Sequence, residues 1–339
     1  IINNKYIPYE KLMKKTVLIT GANGMLAYYF TCVLMHLNIF NNYNIKVIAL
    51  VRNVDKAKDK FSQFLNNENF KLLPQDVCQP INLSEPVHYI LHAAGAASPK
   101  FIKNDPVGII NANTIGTLNV MELARHNPVE NVLFTSTREI YGKTERIQFI
   151  TENDMGVLDP LDSRSCYPES KRLAEQLCKS YYLQYGVPFT TVRIAHSYGP
   201  GMEINEDGRV MSDFISDVVN NRNIVMKSDG IAERAFCYIS DAVVAMLVVM
   251  LKGEIGEAYN VANETEPFAI RTVAKKLVDL FPEKGIEVIL QESADQSGYC
   301  KYDRVGLDTK KVEALGWKPI VGLNIGLKRT VLSFMEESL

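Results

Sequence analysis

Over the first half of the chain, short apolar runs alternate with longer stretches whose apolar positions suit a helix. Thr16–Thr20 (TVLIT) is a β-branched run ended by Gly21, Met25–Leu37 can be helical, and Lys46–Val51 (KVIALV) reads as the next strand. Val87–His92 leads into small residues, Ile109–Arg125 reads as a helix, and Val132–Thr135 (VLFT) as another strand. Strands alternating with helices imply βαβ units, and therefore an α/β fold: a doubly wound parallel sheet with right-handed crossovers and helices on both faces.

After residue 197 the rhythm changes. Pro and Gly cluster at Tyr198–Gly201, a polar loop (Glu203–Arg209) precedes a helix-like Val210–Asn220, and Asn223–Lys227 is a strand candidate. Later, Glu264–Pro267 precedes a helix over Ile270–Phe281 and a strand near Ile286–Leu290. This pattern predicts a smaller C-terminal α/β lobe interleaved with returns to the main sheet. Residues 1–197 with 238–262 form the expected sheet domain, and 198–237 with 263–339 the expected substrate lobe.

Composition narrows the function. With 37 Lys+Arg against 39 Asp+Glu, the chain has no basic surplus for a nucleic-acid backbone. The longest apolar run, Ala242 to Leu251, is about half of a membrane span. The six cysteines form no CxxC pair and have no His at ligand spacing, so small buried hydrophobes are expected and no metal site. With no basic-then-apolar leader pattern, the cytoplasm is the expected location. Residues 1–13 carry an apolar pattern (Tyr6, Ile7, Tyr9, Leu12) to which no role is assigned.

Two constellations carry chemistry. Thr20-Gly21-Ala22-Asn23-Gly24-Met25-Leu26-Ala27 follows one expected strand and opens a helix, the context of a dinucleotide fingerprint and a Rossmann-type sheet. Gly21 makes the tight turn, Gly24 lets a pyrophosphate approach backbone N–H groups, and Asn23, Met25 and Leu26 complete the turn. At the end of the second strand, Arg52 suits a 2′-phosphate and favours NADP over NAD, although a solvated surface charge explains it as well. Asp76-Val77 is a candidate for the adenine. The second constellation is Tyr167-Pro168-Glu169-Ser170-Lys171, whose i,i+4 spacing sets Tyr167 and Lys171 one helical turn apart. A phenol titrates near 10, too high for a base at neutral pH, and a neighbouring ammonium favours the phenolate.

Together with Asp76-Val77, His92-Ala93-Ala94, Asn113 with Gly116-Thr117, Ser136-Thr137 before Tyr141-Gly142, and Arg193 with Tyr198-Gly199-Pro200, these residues resemble the extended short-chain dehydrogenase/reductase family. These are NAD-dependent nucleoside-diphosphate-sugar epimerases, dehydratases and decarboxylases. Within it, His92–Pro99, Asn113–Asn119, Arg164–Arg172, Asp207–Val210 and Arg234–Asp241 look most similar to UDP-glucuronate decarboxylases. The resemblance implies a nucleotide sugar, UDP-linked for preference, bound between the lobes and a tightly held NAD or NADP. It implies reversible hydride transfer through a 4-keto sugar, and a homodimer built on Ile109–Arg125 and Tyr167–Tyr185. Tyr167 would deprotonate the 4-hydroxyl, Thr137 would hydrogen-bond the same oxygen, Lys171 would hold the nicotinamide ribose, and Glu139 would lie near C5 and C6. Ala93, Ala94 and Asn113 would line the cofactor, and Ser98, Arg209 and His196 the substrate. Arg234 and Arg304 would clamp the diphosphate, and Arg138, standing where 4,6-dehydratases carry an acid, could pair with a uronate carboxylate. Asn111, His196 and Arg52 depart from the decarboxylase pattern, which leaves 4,6-dehydration and 4-epimerisation open, with a catalytically silent scaffold as the remaining alternative.

Overall fold

The structure is a computed structural model that describes residues 1–144, 148–205, 207–291 and 306–336. The chain begins with β1 (Thr16–Thr20), α1 (Met25–Asn41), β2 (Lys46–Val51), α2 (Val54–Lys60), β3 (Phe70–Pro74), β4 (Tyr89–His92), α3 (Pro99–Asn104), α4 (Pro106–Arg125) and β5 (Asn131–Thr137). There follow β6 (Phe149–Ile150), α5 (Cys166–Tyr185), β7 (Phe189–Ile194), β8 (Ser197–Tyr198), α6 (Val210–Val219), β9 (Ile224–Met226), β10 (Glu233–Ala235), β11 (Cys237–Tyr238) and α7 (Ile239–Lys252). The last elements are β12 (Ala258–Val261), β13 (Pro267–Ala269), α8 (Ile270–Leu280), β14 (Val288–Leu290), β15 (Gly306–Leu307), α9 (Lys310–Glu313) and α10 (Leu323–Glu336).

Seven strands make one parallel sheet in the order β3-β2-β1-β4-β5-β7-β12. The chain winds outward from β1 to β3, then returns to β1's other side as β4. The order therefore reverses between β1 and β4, where open α/β sheets bind ligands beyond the strand ends. Every residue of β1, β5 and β7 is buried, as expected when helices cover both faces. Val17 and Ile19 pack with α1 and α7 on one face; Leu18 packs with α4 and α5 residues on the other. Beyond the sheet, β9 pairs with β14, β10 with β13, and β8 with β11.

Some details differ from the sequence expectations. The apolar run Ala242–Leu251 lies inside α7, which buries 12 of its 14 residues. Among the described residues, no helix is long and apolar enough to cross a membrane. The fourth helix starts at Pro106 rather than Ile109, because the Asp105 carboxylate caps it by accepting from the Gly108 amide at 3.0 Å. In the N-terminal segment Ile7, Tyr9 and Leu12 join the core and Lys11 donates to the Leu251 carbonyl at 2.7 Å, whereas Tyr6 stays exposed. Of the described cysteines, Cys178 and Cys237 are buried, while Cys32, Cys78 and Cys166 are only partly so.

Candidate active site

The glycine turn sits at the reversal of strand order. Gly21 has a φ of +64°, and a Cβ there would lie 2.6 Å from the Ala93 carbonyl oxygen and 2.7 Å from the Ala94 Cα. Only glycine lets the turn after β1 lie this close to the turn after β4. Gly24 is the N-cap of α1 and supplies no side-chain cap, so the amides of the first turn are left to meet an anion. Asn23 ties the turn to the end of β2 by donating to the Asn53 carbonyl at 2.9 Å, and its Oδ1 is buried without a partner. Met25 and Leu26 are half-buried behind it. Arg52 is exposed at the end of β2, and Asp76 and Val77 follow β3; the Asp76 carboxylate accepts from the Cys78 amide at 2.8 Å, and Val77 is buried.

A hydrogen-bond chain that the sequence did not suggest holds this junction. Thr20 Oγ1 accepts from the Ala93 and Ala94 amides at 3.2 and 3.3 Å, so its hydroxyl donates to His92 Nδ1 at 2.8 Å. His92 Nε2 then carries the proton and donates to Thr117 Oγ1 at 3.0 Å, which in turn donates to the Asn113 carbonyl. Burial, with a smaller contribution from the Lys171 charge, pushes His92 down to about 3 and keeps it neutral. The buried Asn113 side chain donates to Ser170 Oγ at 2.9 Å, and its Oδ1 has no partner; a Cβ at Gly95 would lie 2.5 Å from that atom.

Helix α5 turns Tyr167, Ser170, Lys171, Ala174, Cys178 and Tyr181 inward, a helical stripe that buries the polar pair with the apolar residues. Thr137 ends β5 and accepts from the Glu139 amide at 3.2 Å; its hydroxyl favours ionisation of the neighbouring Tyr167 phenol. Lys171 Nζ donates to the Thr135 carbonyl at 2.8 Å and lies 4.6 Å from the centre of the Phe134 ring. Burial brings its ammonium down to about 8, against the pull of Glu175. The Glu139 carboxylate is taken by Arg164, whose Nη2 lies 3.0 and 3.1 Å from its two oxygens.

From the sequence, the ammonium, together with a positive nicotinamide, is expected to favour the Tyr167 phenolate. In the structure, burial, then the Glu139 charge, hold the phenol well above the usual tyrosine range; Thr137, Arg209 and Arg164 act against this. Lys171, brought down to about 8, is neutral where so high a phenol titrates.

Four more groups gather beyond the strand ends. Ser98 after β4 and Ser136 in β5 are buried with unpartnered hydroxyls. His196, just after β7, has a φ of +42° and an unpartnered Nε2, and burial and the charges of Arg138 and Arg234 hold it well below the usual histidine range. The imidazole thus stays neutral under the positive charge of those two arginines. Arg209 pairs with the buried Asp207 at the start of α6. Arg304 lies outside the described residues. Ser136, Arg164 and Asp207 lie within family-like stretches but carry no expected site role; the pairing of Arg164 with Glu139 and of Asp207 with Arg209 needs the fold. Two cavities of about 470 and 390 Å³ lie elsewhere, one lined by Lys11, Glu130 and Lys252, the other by Glu175, Thr191 and Arg193.

This sheet, glycine turn and Tyr167/Lys171 pair define a dinucleotide-dependent class of protein, and comparison with known proteins gives the family. A profile of the NAD dependent epimerase/dehydratase family matches residues 17–262. UDP-glucuronic acid decarboxylase 6 of Arabidopsis thaliana is 34% identical over 312 residues, 92% of this chain and 86% of that protein. UDP-glucuronic acid decarboxylase 1 of Xenopus tropicalis is 33% identical over 341 residues, 98% of this chain and 76% of that protein. Among solved structures, a UDP-glucose 4-epimerase from Thermotoga maritima superposes with a TM-score of 0.81 at 22% identity, covering 96% of this chain and all of that one (100%). A UDP-glucuronic acid 4-epimerase from Bacillus cereus, solved with UDP-glucuronic acid and NAD, gives 0.79 at 19% identity over 95% of this chain and 99% of that one. The chain belongs to the NAD-dependent epimerase/dehydratase family.

Proposed function

We propose that the chain is a nucleotide-sugar enzyme that works through a 4-keto intermediate, most like a UDP-glucuronate decarboxylase. The observation that carries this reading is the buried trio of Tyr167, Lys171 one helical turn on, and Thr137 at the end of β5. The dinucleotide fits: a Cβ would fill the cradle at Gly21, and the unpartnered Asn23 Oδ1 and Asn113 Oδ1 await polar contacts. Gly21, Gly24, Met25, Leu26, Ala93 and Ala94 would hold it, with Asp76 and Val77 toward the adenine and Lys171 on the ribose. Arg52 favours NADP, and tight retention is part of the reading.

When bound, the nicotinamide supplies oxidation of the sugar at C4 and the later reversal of that oxidation. Tyr167 takes the C4 hydroxyl proton and returns it, a general-base and then general-acid role. Thr137 holds the same oxygen, stabilising the charge that grows there when a β-keto uronate releases CO2. Arg138, beside His196 and Arg234, pairs with the uronate carboxylate; Arg234 and Arg304 clamp the diphosphate, and Ser98 and Arg209 complete the substrate side. A homodimer through α4 and α5 accounts for the exposed Val107, Ile110, Ile115 and Leu118 on α4 and Leu173 on α5. The cytoplasm is the proposed location.

Mass spectrometry and proton NMR after incubation with NAD or NADP and either UDP-glucuronate or a panel of neutral nucleotide hexoses test the proposal. CO2 loss from the uronate supports it. Water loss from a hexose means a dehydratase, inversion at C4 an epimerase, and no product a silent scaffold.

A further inference from the structure

We infer that Arg164 is a positioning residue for the reaction: it fixes Glu139 and offsets part of that carboxylate's charge near Tyr167. The inference rests on the nucleotide-sugar reading above and adds to it a residue that touches neither substrate nor cofactor.

The geometry is a chain of contacts that ends beside Tyr167. Arg164 stands in the short turn Ser163–Ser165 before α5, three residues ahead of Tyr167, and its amide is held by the Asp162 carboxylate at 2.8 Å. Its guanidinium grips both Glu139 oxygens. The Glu139 amide donates to Thr137 Oγ1. Arg164 thus links the turn that enters the Tyr167 helix to the turn that leaves Thr137.

The electrostatics point the same way. The charges that act on Tyr167 are Glu139 from the turn after β5, Arg209 from the start of α6, and Arg164. On its own helix, Cys166 adjoins it and the Lys171 ammonium is turned to Thr135; α3 and α4 present the apolar Ile102 and Ile109. Arg209 pairs with Asp207, whereas Arg164 pairs with Glu139 itself. A carboxylate beside a phenol opposes loss of its proton, and the paired guanidinium offsets part of that opposition.

The test uses the cofactor-loaded protein and reads the Tyr167 phenol directly, as the ultraviolet difference on raising pH between each protein and its Tyr167→Phe version. Arg164→Gln should raise the phenolate midpoint by about one pH unit, with a matching alkaline shift and about tenfold loss of kcat at neutral pH, and little change in KM. Arg164→Lys should restore part of the shift. If Arg164→Gln folds poorly, Glu139→Gln serves instead: it should lower the midpoint, because it removes the opposing charge. An unchanged or lowered midpoint in Arg164→Gln, or an unchanged one in Glu139→Gln, overturns the inference. The titration needs no turnover, so a chain that converts no nucleotide sugar would refute the proposed function separately.

Discussion

Replacing Gly21 by Ala isolates the close approach on which the cofactor turn depends. At φ +64° an L side chain is strained, which costs about 1–2 kcal/mol in the left-handed region. The added Cβ also meets backbone, 2.6 Å from the Ala93 oxygen and 2.7 Å from the Ala94 Cα, so no side chain can swing aside. Overpacking of that kind costs roughly 1–3 kcal/mol more. Gly186 is the control: its φ is +72°, yet nothing lies within 4 Å of the Cβ it would gain. Gly186→Ala should therefore lose only the backbone part, about 1–2 kcal/mol. Urea unfolding followed by circular dichroism, with an unchanged slope, gives both losses. Gly21→Ala should be the more destabilised by roughly 1–3 kcal/mol and should also weaken NAD binding in calorimetry. Equal losses for the two variants, with NAD affinity intact, would refute the argument that the β1 and β4 turns are in forced contact.

Three further outcomes follow from the site. Lys171 is charged below about 8 and neutral above it, so an ammonium that holds the ribose is lost as pH rises; kcat should fall through that range, and a flat profile from pH 7 to 9 would contradict it. Tyr167→Phe should cut turnover by about 10²–10⁴-fold while mass spectrometry of the purified protein still finds cofactor bound. Arg138→Gln should raise KM for a nucleotide uronate by on the order of tenfold and leave a neutral nucleotide hexose unaffected, as steady-state kinetics will show.

The elements that position the site were legible because each is a local pattern. Thr16–Thr20 and Lys46–Val51 are unbroken apolar runs ended by turn residues, and the structure keeps both with the expected bounds. The Asp105-Pro106 start of α4 was also local, a capping residue before a proline at the first helical position, yet the apolar periodicity drew the expected start to Ile109. Strand β7 (Phe189–Ile194) reads FTTVRI, and its threonines and arginine hide a strand buried throughout. Arg193 can lie there because Glu175 on α5 and the Tyr141 hydroxyl satisfy it, at 2.6 and 2.9 Å, which only the tertiary fold supplies. The same holds for the site: the YxxxK spacing announced Tyr167 and Lys171, but not the Arg164–Glu139 pair or the charges of Arg138 and Arg234 acting on His196, since those partners are brought together by different elements.

The most direct test of the central claim is conversion of UDP-glucuronate in D2O, with the product read by mass spectrometry and proton NMR. Oxidation and re-reduction at C4 around a decarboxylation predict CO2 release and a nucleotide pentose with a single solvent deuteron at C5 and its original hydrogen at C4. A solvent deuteron at C4, or a hexuronate returned with its carboxylate and changed only in configuration, would contradict the account.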